Sequence, residues 1–217
     1  MRALKILPLA AALLLSGAAQ AADPAKDPVP EKLGFPSASK KAHRPNTVLD
    51  PISPEARTKF AQSAFAATPL SLRDLINLLT YKVPVKDGVS YDDVVSSMKA
   101  RANKLNFKFV GSNAIHKDVA AISGQPARKI EVFNFCDAQV ARELLDYSLE
   151  FVIFLPCRVA AVEDADGKLW LMMLDWNVSW LDTSPNPDRL PEGLRTAATK
   201  LRESLAEIIR AGADGEL

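Results

Sequence analysis

Two apolar runs, residues 151–163 and 168–176, are separated only by Asp164-Ala165-Asp166-Gly167. An Asp-Gly pair closing so short a connection suits a tight hairpin, so the two runs are expected to pair as antiparallel strands. Strands this apolar must be buried against other elements, and the remaining periodic segments have to supply the cover.

Upstream, Tyr81-Lys82-Val83-Pro84-Val85 alternates at period two and ends at Asp87-Gly88. It reads as a short edge strand with Pro84 facing outward, because proline cannot donate to a ladder. Ser90-Tyr91-Asp92-Asp93 is a variant capping box, followed by Val94, Val95, Met98, Ala102 and Leu105 at helical spacing. Phe107–Val110 resumes strand character, Gly124-Gln125-Pro126 marks a loop, and Ile130–Phe135 alternates as a further strand. Residues 137–149 then predict a helix with Val140, Ala141, Leu144 and Leu145 inward. The order strand-helix-strand-strand-helix-strand-strand predicts an α+β fold, with helices packed on one face of a mostly antiparallel sheet.

Helices are also expected at both ends of this core. Ser53, Pro54 and Glu55 form a helix start, and a second short helix begins at Ser71, so residues 53–80 read as an N-terminal helical cap. Residues 81–180 form the α+β domain, and residues 181–217 a linker and an amphipathic helix. That helix opens at Pro191, aligns Leu194, Ala198, Leu201, Leu205, Ile208 and Ile209, and is expected to stop at Gly212.

Residues 1–21 have the plan of a secretory signal peptide: Arg2 and Lys5, an apolar stretch from Ile6 to Leu15, and Ala19-Gln20-Ala21 before the cut. That stretch is too short for a membrane span, which needs about 20 residues. The run beginning at Phe151 is broken by Pro156 and Arg158. Cleavage after Ala21 or Ala22 is therefore expected to release a soluble protein, with a bacterial periplasm as the favoured compartment. Residues 22–52, with six prolines and little apolar periodicity, read as a flexible arm. The 27 basic and 26 acidic residues give a net charge of +1, which becomes −1 once Arg2 and Lys5 leave. Such a chain has no bulk attraction for nucleic acid or anionic lipid.

The run from Tyr81 to Trp176 resembles the bacterial family called domain of unknown function 302. The likeness rests on Tyr81-Lys-Val-Pro-Val…Gly88-Val-Ser-Tyr-Asp-Asp93, Phe133-Asn-Phe-Cys136-Asp137, Leu155-Pro-Cys-Arg158 and Val162-Glu-Asp-Ala-Asp-Gly167. Both terminal helices lie outside it. Family members often have Asn-Pro after the first Cys, where this chain has Asp137-Ala138. The resemblance implies a compact α+β domain, often dimeric, with pairing expected along the edge at Tyr81–Val85. It implies no reaction.

Cys136 and Cys157, with Arg158 beside the latter, are the candidate site residues. Cys136 stands where a strand gives way to a helix, where a helix dipole can favour thiolate. Three readings stay open: a structural disulfide, two half-buried packing thiols, and a redox or soft-metal site for an ion such as Cu(I). With only two Cys and two His, a zinc site of those ligands would need all four to converge. His43 lies in the arm, and His116 reads as solvent-facing or capping. Glu163, Asp164 and Asp166 read as solvated turn acids rather than Ca²⁺ ligands. Trp170, Trp176 and Trp180 with Met172 and Met173 could pack on the terminal helix or form a ligand surface. Asn177-Val-Ser179 matches a glycosylation sequon, which means little in a bacterial periplasm. No Gly-rich phosphate loop or Ser/His/Asp arrangement is present.

The sequence thus points to a non-catalytic accessory or binding protein. Its partner would be a small apolar molecule, a soft metal ion or another periplasmic protein. A thiol redox protein and an assembly protein docking through its arm are the rivals.

Overall fold

The structure, a computed structural model, describes residues 47–177 and 191–216. The leader, most of the arm, His43, Trp180 and Ser179 lie outside the described residues. Five antiparallel strands form one sheet in the order β1-β5-β4-β3-β2. They are β1 (Thr80–Pro84), β2 (Lys108–Asn113), β3 (Ile130–Cys136), β4 (Cys157–Glu163) and β5 (Leu169–Leu174). The hairpin forms as expected: Glu163 pairs with Leu169 and Ala160 with Met172, around a turn whose Gly167 has φ +77°. β1 is an edge strand and Pro84 is exposed on it.

The helices are α1 (Pro54–Ala66), α2 (Leu72–Leu78), α3 (Tyr91–Lys104), α4 (Ile115–Ser123), α5 (Ala138–Tyr147) and α6 (Glu192–Asp214). The predicted starts hold. Ser53 Oγ accepts from Ala56 N at 3.2 Å. Ser90 Oγ accepts from Asp93 N at 3.1 Å while Asp93 returns the bond to Ser90 N, so two of the free N–H groups of α3 are satisfied. α3 and α6 cover one sheet face together with Leu144 of α5, burying Phe133, Phe135, Val159, Ala161, Leu171, Ile208 and Ile209 almost completely. No helix among the described residues is long and apolar enough to cross a membrane.

Three segments differ from expectation. α4 occupies the stretch between β2 and the Gly124–Pro126 loop, to which the sequence reading assigns no element. Its Ile115, Val119 and Ile122 recur at helical spacing, but Ile122 is 88% exposed, so the signal reports no core contact. Residues 149–154, expected to begin a strand, form a 3-10 helix (Leu149–Phe154). The reason is aromatic: a 3-10 turn eclipses residues three apart, and Phe151 and Phe154 come to 6.1 Å between ring centroids. Finally, α6 runs through Gly212 and ends at Gly215, whose φ of +68° makes the left-handed cap. Gly212 serves instead as a point of close approach. A Cβ there would collide with Met98 and lie 3.0 Å from Leu171 Cδ1 and 3.3 Å from the Val94 carbonyl oxygen.

Candidate ligand-binding site

Strand alternation gives the sheet two unlike faces. The pairing Phe135↔Cys157 and Val159↔Phe133 assigns those four side chains to the helix-covered face. Their neighbours Val132, Ala160, Arg158, Met172 and Leu174 belong to the opposite face, which α3 and α6 leave uncovered. On that open face, Lys82↔Met172↔Ala160↔Val132 forms one row across four strands.

A cavity of about 550 Å³ lies over this face. Met172, Leu174, Ala160 and Val132 line it from the sheet, Ile76 and Leu79 from α2 and its cap, and Phe154 and Trp176 from the 3-10 helix and the exit of β5. Phe154 and Trp176 are stacked at 5.9 Å with 12° between their planes, and Phe154 continues through Phe151 to Tyr147. Arg158 is the only charged residue in the lining among the described residues, and Cys157 also belongs to it.

The tryptophans and methionines expected to act as a group are divided by strand parity. Met173 belongs to the covered face and is buried, although it also borders the cavity, whereas Met172 and Trp176 line it from the open face. Trp170 donates from Nε1 to Asp164 Oδ2 at 2.8 Å, under the Lys168 ammonium. Asp164 also accepts from the Asp166 and Lys168 amides at 3.0 Å each. The Trp170 hydrogen bond, then those amides, lower its carboxyl pKa, so the turn acid is occupied as an acceptor. Glu163 accepts from Lys129 N. Among the described residues no three His, Cys, Asp or Glu come together as a metal site.

Cys136 and Cys157 are both free thiols. Since Cys157 pairs with Phe135, alternation puts Cys136 on the other face of the sheet. Cys136 ends β3 just before α5, where burial, then the adjacent Asp137 carboxylate, raise its thiol pKa. Asp137 is itself the N-cap of α5, accepting from Gln139 N and Val140 N, so its negative charge stands between the helix end and the thiol. Burial pushes Cys157 further, to about 12. Both groups are held as thiols at neutral pH, the less reactive form.

His116 accompanies strand β3, its Nδ1 donating to the Ile130 carbonyl oxygen at 2.8 Å, which fixes that tautomer. Near it is a polar pair that the sequence reading misses: the Tyr91 hydroxyl donates to Glu131 Oε2 at 2.6 Å, with Lys129 Nζ 4.4 Å from the Tyr91 ring centroid. Burial and then the Glu131 bond raise the Tyr91 pKa well above its usual value. Burial also works to raise Glu131, but the Tyr91 and Ser112 hydrogen bonds and the charges of His116 and Lys117 outweigh it and leave the carboxyl low. Every other residue of β3 is apolar or uncharged, so Glu131 itself is the available signal.

Among the cavity residues, Ile76, Leu79 and Phe154 are not singled out as site residues by the sequence. Tyr147, Phe151 and Phe154 follow helical spacing, a pattern able to expose the aromatic wall.

The family model described as Domain of unknown function DUF302 matches residues 81–211. It takes in most of α6, which the sequence resemblance leaves outside; the burial of α6 against α3 and the sheet explains why it belongs to the domain. No curated protein matches the chain. Among solved structures, the crystal structure of an uncharacterized conserved DUF302 protein from Bacillus stearothermophilus is similar, at 16% identity and a TM-score of 0.50, covering 62% of this chain and 98% of that one. At that identity the likeness is one of fold.

Proposed function

The chain belongs to the DUF302 family, and we propose that it is a secreted, periplasmic, non-catalytic binding protein whose ligand is a small apolar molecule. The observation that carries the reading is the cavity of about 550 Å³ on the open sheet face, walled by Met172, Leu174, Phe154 and Trp176. Its size falls within the range of about 300–1,000 Å³ typical of small-ligand sites, which are likewise mostly apolar with few polar groups. The leader motif of residues 1–21 supports export, and a periplasmic fraction whose intact mass begins at Ala22 or Asp23 is the result expected. Pairing of two copies along β1 belongs to the same reading, and a monomer mass by light scattering would remove it. The thiol alternative gains no support from two free cysteines on opposite sheet faces, both with raised pKa values.

The test is titration with the uncharged probe N-phenyl-1-naphthylamine, read by its own emission and by quenching of Trp176. Saturable binding is expected, and Ala160→Arg, which places a long charged side chain in the cavity, is expected to abolish it while leaving the thermal transition nearly unchanged. No saturation, or full binding by the Ala160→Arg protein, would remove the cavity as the site.

A further inference from the structure

Resting on that binding reading, we infer that the ligand is an apolar monocarboxylate of the free fatty-acid type, its chain lying over Met172, Ala160 and Val132 and its carboxylate held by Arg158. The argument begins with the charge inventory of the cavity. Arg158 is exposed, stands on β4 within an otherwise uncharged lining, and has no carboxylate partner among the described residues. Among the described residues its Nη2 donates only to the Ile153 carbonyl oxygen, at 3.4 Å, near the outer limit for a hydrogen bond.

Two other arginines of the domain are committed to carboxylates. Arg202 makes a two-point ion pair with Asp175 at 2.6 and 3.0 Å, and Arg101 bridges Glu207 and Glu216 at 2.6 and 2.7 Å. Among the described residues, nearly all of the planar fork of donors of Arg158 is therefore available beside an apolar floor. A neutral ligand covering that floor would strip water from the guanidinium and return no hydrogen bond, which is unfavourable. A carboxylate replaces the lost water with two parallel charge-assisted bonds, the geometry for which arginine is best suited. Apolar surface and cation thus select the two ends of one molecule.

The experiment compares octanoate with 1-octanol, equal in chain length and different in charge, as competitors of N-phenyl-1-naphthylamine at pH 7. The wild-type protein is expected to bind octanoate roughly tenfold or more tightly than octanol, the scale of a charge-assisted hydrogen bond. Arg158→Gln is expected to abolish that preference without weakening octanol or shifting the thermal transition, and Arg158→Lys to restore part of it. Equal affinity of the two competitors in the wild-type protein would overturn the monocarboxylate while leaving an apolar site in place. A preference that survives Arg158→Gln would overturn the role of Arg158. Failure of the neutral probe itself to bind would instead defeat the underlying reading and the inference with it.

Discussion

One sheet presents two faces of opposite chemistry. On the covered face, Phe133, Phe135, Val159, Ala161 and Leu171 are each 0–1% exposed under α3 and α6. On the open face, one position along the same strands, Val132, Ala160 and Met172 remain half-buried and Arg158 and Leu174 are exposed. Apolar residues alternate with apolar residues here, so both faces are hydrophobic, while α3 and α6 hide only one and α2 with the 3-10 helix border the cavity on the other. The covered face holds the fold together; the apolar excess on the other is what makes a ligand site possible. Each face also carries a charge, Glu131 answered by Tyr91 on the covered side and Arg158 on the open side, which meets no carboxylate among the described residues.

The sharpest break of this comparison is a matched truncation on each face. Phe135→Ala should cost about 3–5 kcal/mol by chemical denaturation, since it removes a fully buried ring and leaves a cavity. Met172→Ala, two strands away, should cost less than about 1 kcal/mol yet weaken N-phenyl-1-naphthylamine binding. Equal losses of stability would mean that the open face is covered in solution.

A smaller effect tests how tightly the covered side is packed. Gly212→Ala adds a methyl against Met98, Leu171 and the Val94 carbonyl, and the overpacking, about 1–3 kcal/mol, should exceed the roughly 1 kcal/mol that alanine gains over glycine in a helix. Gly193→Ala in the same helix meets nothing within 4 Å and should be neutral or stabilising. A stabilised Gly212→Ala protein would show that α3 and α6 are looser than their contacts imply.

The hairpin, the edge strand and the capped starts of α1 and α3 were legible because each depends on residues close together in the chain. Asp166-Gly167 dictates its turn and Ser90 with Asp93 its cap, whatever the rest of the molecule does. The cavity was not legible. Ile76 and Leu79 meet Phe154 and Trp176 only after the order β1-β5-β4 is set, and no local pattern encodes that order. The cysteine pair was opaque for a related reason: a spacing of 21 says nothing about parity, and a one-residue offset in register sends the two sulfurs to opposite faces. Arg158 stands out in the sequence as a neighbour of Cys157, although alternation points the two side chains apart.

Thiol chemistry sharpens the contrast further. Ellman's reagent at pH 8 should react with Cys136, which is half-buried, much faster than with Cys157, which should respond only after unfolding. The stability that burial of the Cys157 thiol confers is fully present below pH about 9, the ordinary thiol value, and is lost as pH rises through its folded value of about 12. Cys157→Ala should lack that alkaline dependence; rapid labelling of Cys157 in the folded protein would show that the covered face admits solvent.

The smallest effect concerns the answered charge. Glu131 lies on the covered side of β3, paired with Ala161, and a carboxylate there is tolerable because the Tyr91 hydroxyl reaches it from the first turn of α3. Its folded pKa lies below the ordinary carboxylate value, so its contribution is present above pH about 4.5 and is lost as pH falls through the folded value. Glu131→Gln should therefore cost about 1 kcal/mol at pH 7, with the difference from wild type shrinking below pH 4.5. Tyr91→Phe should cost a similar amount, and the double variant less than the sum, because the two changes remove one shared bond. Additive losses would mean that the hydroxyl and the carboxylate act separately. In that case the charge on the covered face would be sustained by Ser112, His116 and Lys117 from β2 and α4, and the contrast with Arg158 would rest on those elements rather than on α3.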